Sequence, residues 1–172
     1  FGQHEHVEVR QGSGLKVLSP GEADCIAIAG MGASTIISIL EDDTEVAQSA
    51  ELLVLQPMAG AASLRAWLCS HGWQLAAEEL VDDAPHFYEI IAAKRGLAPV
   101  YSAAECAVGP LLLAQKHPLL GKQLERQLAT CRQLLENMGR SERARASEKY
   151  KEIEALKSEL EVLQNGKRSD SK

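Results

Sequence analysis

The stretch of this sequence that points to a site is built from backbone more than from reactive side chains. Ile28-Ala29-Gly30-Met31-Gly32 closes an apolar run that begins at Cys25 and gives way to helical spacing at Ile36, Ile37, Ile39 and Leu40. An apolar run, two glycines and a helix read as a buried parallel strand, a turn and a helix. In open α/β sheets ligands sit beyond the carboxyl ends of the strands, and glycine lets backbone approach a ligand closely. The same spacing also suits a plain tight turn, so the pair of glycines leaves both readings open. A second apolar run, Leu52-Leu53-Val54-Leu55, is expected to stop at Gln56-Pro57-Met58, because proline cannot serve an interior ladder. Gln56 then stands at the same carboxyl edge as Gly30.

Other chemistries find little support. His4-Glu5-His6 offers two imidazoles, but beside a strand start such residues usually face solvent, and no metal is expected. Glu41-Asp42-Asp43-Thr44-Glu45 lacks the glycine and the ligand spacing of a calcium loop and reads as an acidic surface loop. Ser34, Ser63 and Ser70 have no Gly-x-Ser-x-Gly context for a hydrolase. The four cysteines, Cys25, Cys69, Cys106 and Cys131, are too dispersed for a zinc ribbon or a disulfide framework, which suits a reducing, cytoplasmic setting. Cys25 is expected to pack inside its strand. No run approaches the roughly 18 apolar residues of a membrane span.

The elements that would position the edge follow in order. His6-Val7-Glu8-Val9-Arg10 alternates as a strand and ends at Gln11-Gly12-Ser13-Gly14, and Leu15 to Leu18 is a short amphipathic piece. After the two apolar strands, Ser63 to His71 reads as a helix stopped by Gly72. Trp73 to Val81 and Phe87 to Ala93 read as an antiparallel pair around Asp82-Asp83-Ala84-Pro85, since a parallel partner needs a long crossover. Beyond Arg95-Gly96-Leu97-Ala98-Pro99 the pattern turns helical, with a break at Gly109-Pro110. Leu120, Leu124, Leu128, Cys131, Leu135 and Met138 step close to a heptad, and Ala146, Tyr150, Ile153, Leu156, Leu160 and Leu163 form a second stripe. Two helices joined by a short break predict a coiled-coil hairpin.

Charge divides along the same line. Residues 1–121 carry 6 Lys+Arg and 15 Asp+Glu, a net of −9, while residues 122–172 carry 12 and 9, a net of +3. The acidic body argues against a general nucleic-acid binder, whereas the basic appendage could contact phosphates or could be a solvated helical surface. The expected domains are residues 1–97, α/β, and residues 98–164, helical, with a disordered tail over 165–172.

Val9-Arg10-Gln11-Gly12-x-Gly14-Leu15, Gly21-Glu22-Ala23-Asp24, Ile28-Ala29-Gly30-Met31-Gly32, Leu53-x-Leu55-Gln56-Pro57, Leu64-Arg65-x-Trp67-Leu68, Phe87-Tyr88-Glu89-Ile90 and Val108-Gly109-Pro110-x-Leu112 occur in this order. Over residues 7 to about 138 the chain thereby resembles the TrmK family of bacterial tRNA (adenine-N1)-methyltransferases. The resemblance implies a Rossmann-like class I methyltransferase sheet, S-adenosyl-L-methionine as cofactor, and tRNA as partner, methylated at N1 of adenine 22 and held in part by the helical hairpin. It implies cofactor contacts at Gly12, Ser13, Gly14, Leu15, Ala29, Gly30, Met31 and Gly32. The catalytic residues it implies are Gly30, Met31, Gln56 and Pro57, the last two bordering the target base.

Three positions depart from the family pattern: Ser13 stands in place of Asp, Met58 in place of Asn, and Ala33 in place of Gly. The first two strands and the glycine-rich cofactor loop of family members precede Phe1, so the first strand here is expected to lack its neighbours and the chain to bind cofactor poorly. The alternative is a noncatalytic RNA-binding or interaction protein that kept the scaffold.

Overall fold

The computed structural model describes residues 7–169. Its sheet has four strands, β1 (Cys25–Gly32), β2 (Leu52–Ala59), β3 (Trp73–Asp83) and β4 (His86–Arg95), in the order β1-β2-β4-β3. β1 and β2 are parallel, and β4 is antiparallel to both β2 and β3. The parallel step requires a crossover, supplied by α1 (Ala33–Asp42) and α2 (Thr44–Ser49). The short turn after Asp83 allows only the hairpin expected from the sequence. Helix α3 (Ala61–Ser70) lies between β2 and β3 in the chain and ends at His71, with Gly72 left-handed at φ 78°.

Ile26, Ile28, Leu53, Leu55, Leu75, Ile91 and Ala93 present one face of the sheet to Ile36, Leu40, Leu64 and Leu68 of α1 and α3, and all are buried. The opposite face is open at β1, where Cys25, Ala27 and Ala29 are exposed. The expectation of a strand buried on both faces, with Cys25 packed inside it, is therefore corrected. Cys25-Ile26-Ala27-Ile28-Ala29 alternates small with large side chains, a period of two that marks a strand covered on one face.

Several boundaries also differ from expectation. Val7 to Arg10 forms no strand, and His6 lies outside the described residues together with His4 and Glu5. Gly30 and Gly32 do not make a loop; β1 runs through both, and α1 begins at Ala33. β2 does not stop at Gln56. Its ladder with β4 ends at Leu55↔Ile91, and from Gln56 to Ala59 it pairs with β1 alone, so Pro57 interrupts no second ladder. The acidic stretch from Glu41 is a corner between α1 and α2, with the chain turning at Asp43, rather than a loop.

The helical part opens with α4 (Ala103–Val108), whose N-terminus carries a capping box: Ser102 Oγ accepts from Glu105 N, and Glu105 accepts from Ser102 N. Gly109, at φ 108°, breaks it from α5 (Pro110–Ala114). Two long helices follow, α6 (Leu120–Gly139) and α8 (Glu148–Ser169), joined through the single turn α7 (Glu142–Arg145). They pack on each other through Leu120, Leu124, Leu128, Cys131, Ile153 and Leu160, the residues the heptad spacing singles out. α8 also returns to α4, as a hairpin must. The disordered tail is corrected in part: residues 165–169 continue α8, and 170–172 lie outside the described residues.

Candidate functional site

The carboxyl edge of β1 and β2 owes its shape to a bulge. The two strands keep even register from Cys25↔Leu52 to Ala29↔Gln56, and then Met31 faces Pro57 and Gly32 faces Ala59. Gly30 is the extra residue. It has φ 77°, and a side chain at its Cα would point into space with no atom within 4 Å. Its N–H, released from the ladder, donates to Gln56 Oε1 at 2.9 Å, while Gln56 Nε2 lies 3.5 Å from Met58 Sδ. Met31 and Met58 are both exposed, 41% and 55%, beside this bond. Close packing holds the edge on its helix: a Cβ on Gly60 would stand 3.0 Å from that of Ala33.

Beside the edge of β1 that pairs with no strand among the described residues lies a hollow of about 480 Å³. Gly14, Leu15 and Leu18 form one wall, and Cys25, Ala27, Ala29, Met31 and Ile39 form much of the rest. Its volume falls in the range, roughly 300–1,000 Å³, of small-molecule sites. The wall from residue 12 to 18 is a pair of turns, closed by Lys16 N donating to Ser13 O at 3.2 Å and Leu18 N to Leu15 O at 2.9 Å. Gly12 is required there, because a Cβ would come within 2.2 Å of Val17 Cγ1. Leu15 anchors the turns in the core. Arg10 anchors them from outside, donating to Glu8 and to Val17 O and pairing with Glu22. Hydrogen bonding to Glu8 and then Glu22 drives the Arg10 pKa further up.

The expected site residues thus separate into groups. Gly14, Leu15, Ala29 and Met31 line the hollow; Gly30 and Gln56 are bonded to each other but are not among its lining residues, and Pro57 is buried opposite Met31. Gly32 caps α1. Gly12 and Ser13 shape the turn but are not among the residues lining the hollow. Leu18, Cys25, Ala27 and Ile39 also line it and fall outside the expected set; the small–large alternation of β1 is the signal that points to them.

A second cluster that sequence reasoning misses joins the sheet to the helices. Arg65 of α3 is fully buried, and its Nε donates to Glu78 Oε1 of β3 at 2.5 Å, Nη1 to Cys106 O of α4 at 2.9 Å, and Nη2 to Glu89 Oε2 of β4 at 2.9 Å. Glu78 Oε2 in turn accepts from Leu111 N of α5 at 2.8 Å. An arginine in the same apolar stripe as Leu64 and Leu68 is the signal for it. Around this joint Glu79 pairs with His117, Asp82 with Lys122, and Phe87 lies under Lys122 and Arg126. Burial pushes the thiols of Cys69, Cys106 and Cys131 up, away from the reactive thiolate. Among the described residues no cluster of His, Cys, Asp or Glu could hold a metal ion, and no helix is long and apolar enough to cross a membrane.

Comparison with known proteins identifies the fold and the family. Residues 2–165 match the model of the family TrmK, tRNA (adenine(22)-N(1))-methyltransferase. The tRNA (adenine(22)-N(1))-methyltransferase of Bacillus subtilis (strain 168) is 31% identical in an alignment of 167 positions that covers 94% of this chain and 69% of that protein. The crystal structure of the B. subtilis m1A22 tRNA methyltransferase TrmK superposes with a TM-score of 0.79 at 29% identity, over 93% of this chain and 71% of the other. A Streptococcus pneumoniae structure in complex with S-adenosyl-L-methionine gives 0.74 at 26% identity, over 91% of this chain and 68% of that one.

Proposed function

The chain belongs to the TrmK family of S-adenosylmethionine-dependent tRNA (adenine(22)-N(1))-methyltransferases, and from that membership we propose how its own residues divide the work. The reaction moves a methyl group to N1 of an adenine in tRNA. Membership does not favour the noncatalytic alternative. The observation that carries the site is the Gly30 N–H···Gln56 Oε1 bond, set in the chain between Ala29 and Met31, which line the hollow, and accompanied by the exposed Met31 and Met58.

The residues present fit the nucleoside part of the cofactor. A hollow of about 480 Å³ with apolar walls and exposed strand backbone suits a nucleoside, and the empty volume over Gly30 is where any other residue would place a Cβ. Gly14, Leu15, Ala29 and Met31 would hold it, with Gly12 and Ser13 fixing the turn and Gly32 ending the strand beside it. When bound it supplies a methyl group on a positively charged sulfur.

The protein needs no strong base. Adenine N1 is unprotonated at neutral pH and carries its own lone pair, so alignment of the ring with the donor is the main requirement. Gln56 forms the border on which the ring rests, and the two methionine side chains keep water from the ring. Pro57, buried behind it, offers the ring no surface, which corrects its expected contact with the base. An adenine inside a folded tRNA must leave its stack to reach this edge. We assign the grip on the RNA to the helical hairpin of residues 98–164, where exposed Arg126, Arg132, Arg140, Arg143 and Arg145 follow one another along α6 and α7. We place the protein in the cytoplasm with its substrate.

The test is methyl transfer from labelled S-adenosylmethionine to tRNA transcripts carrying adenine or guanine at position 22. Label should enter the adenine transcript alone and appear as N1-methyladenosine; equal labelling of both would refute the assignment. The hairpin assignment predicts that Arg140→Ala, Arg143→Ala and Arg145→Ala each weaken tRNA binding and lower its salt dependence, because each removes a phosphate contact. Unchanged salt slopes would remove the hairpin from the interface.

A further inference from the structure

We infer that Gln56 reads the target purine by donating its amide N–H to a ring nitrogen other than N1. The inference rests on the reading above, that an adenine is delivered to this edge.

The orientation of the amide is set by its neighbour. A backbone N–H can only donate, so the Gln56 atom 2.9 Å from Gly30 N is the oxygen, and the amide cannot be turned round without setting two donors against each other. The NH2 therefore lies on the far side. One of its hydrogens faces Met58 Sδ at 3.5 Å, a weak acceptor, and among the described residues the other has no protein partner. Gln56 is half-buried, between an exposed Met31 and an exposed Met58. Two flexible, exposed thioethers beside one donor give an apolar surface with one polar contact, a combination that can orient a flat ring.

The chemistry of adenine selects the contact. The ring offers three acceptors, N1, N3 and N7, and N1 must keep its lone pair for the methyl group. The exocyclic amine is a donor and would repel the Gln56 NH2. The amide is left with N3 or N7. Guanine needs no exclusion by this contact, since its N1 carries a hydrogen and has no free lone pair in the ring plane. Gln56 thus supplies the polar reading of the base that Met58, which has no amide, does not.

Competition between tRNA substrates bearing adenine, 7-deazaadenine or 3-deazaadenine at the target position tests this, with the unaltered protein and with Gln56→Met and Gln56→Glu. One deaza substrate should lose about tenfold in kcat/KM with the unaltered protein, the worth of one unpaired hydrogen bond, while the other stays within about twofold. In both variants that penalty should shrink to within about twofold; Gln56→Glu still accepts from Gly30 N–H, so it keeps the edge intact while lacking the donor. Comparing the same substrate pair across variants cancels the change in N1 basicity that a deaza ring brings. Two deaza penalties within about twofold, or a penalty that persists in the variants, overturns the inference. No transfer to the unmodified tRNA would instead sink the reading beneath it, and the inference with it.

Discussion

The two ends of the sheet obey opposite rules. At the β3–β4 end the buried charges are enclosed and matched: Arg65, with no exposed surface, meets two carboxylates and a carbonyl, and Glu78 spends its second oxygen on Leu111 N. At the β1–β2 end the polar groups are open and only partly matched, with a bulged glycine over empty space and an amide that has a hydrogen to spare. A joint between two units has to fix their relative position, so its charges must be satisfied by protein. A site has to leave valences for a ligand. Stability and function are therefore expected to respond to different substitutions.

The sharpest way to break this comparison is Arg65→Met. It strands Glu78, whose side chain has no exposed surface, and losing one partner of a buried pair costs about 3–5 kcal/mol. Urea denaturation should show a loss of that size, against less than about 1 kcal/mol for Gln56→Met at the open end, where solvent replaces what is lost. Similar losses at both ends would erase the contrast.

Two glycines refine it. Gly109 and Gly30 both have positive φ, but a Cβ on Gly109 would meet Leu112 Cδ1 at 2.5 Å and Arg65 Nη2 at 3.1 Å, whereas one on Gly30 would meet nothing. Gly109→Ala should add overpacking of about 1–3 kcal/mol to the cost of a left-handed alanine, and Gly30→Ala should show that backbone cost alone, about 1–2 kcal/mol. Activity should rank them the other way, because the Gly30→Ala methyl group projects into the space reserved for ligand. Melting curves and methyl-transfer rates on the same two samples decide it.

The smallest effect concerns pH. Glu79, which accepts from Leu80 N and pairs with His117, has its carboxyl held below the usual range, first by the backbone bond and then by the imidazole. A lowered folded-state value means the stabilisation is complete above the unfolded value, about pH 4.3, and is lost as pH falls through the folded one. Since the side chain is more than half exposed, Glu79→Gln should lower the melting temperature slightly at neutral pH, and the difference should vanish in acid. A gap that widens on acidification would contradict the pairing.

Much of the fold is legible in the residues alone. The hairpin after Asp83, the helix ending at Gly72, the break at Gly109 and the heptad stripe of α6 are local matters, settled by turn chemistry and periodicity. Local signals fail where partners decide. Pro57 lies inside β2 because β4 has already withdrawn at that level, and Val7 to Arg10 alternates like a strand yet joins no ladder among the described residues. Arg65 stands in the apolar stripe of Leu64 and Leu68, which signals burial, but nothing in the residues around it names the two glutamates from distant strands that meet it.

The sequence by itself determined the family, the order of the elements and the glycine-bearing edge, because motifs, periodicity and backbone freedom are properties of contiguous residues. Only the tertiary structure decided that Gly30 is a bulge bonded to Gln56, which way that amide points, and that one buried guanidinium ties the sheet to the helices. Each depends on groups 13 to 41 residues apart along the chain meeting within about 3 Å, and distance along a sequence carries no such information.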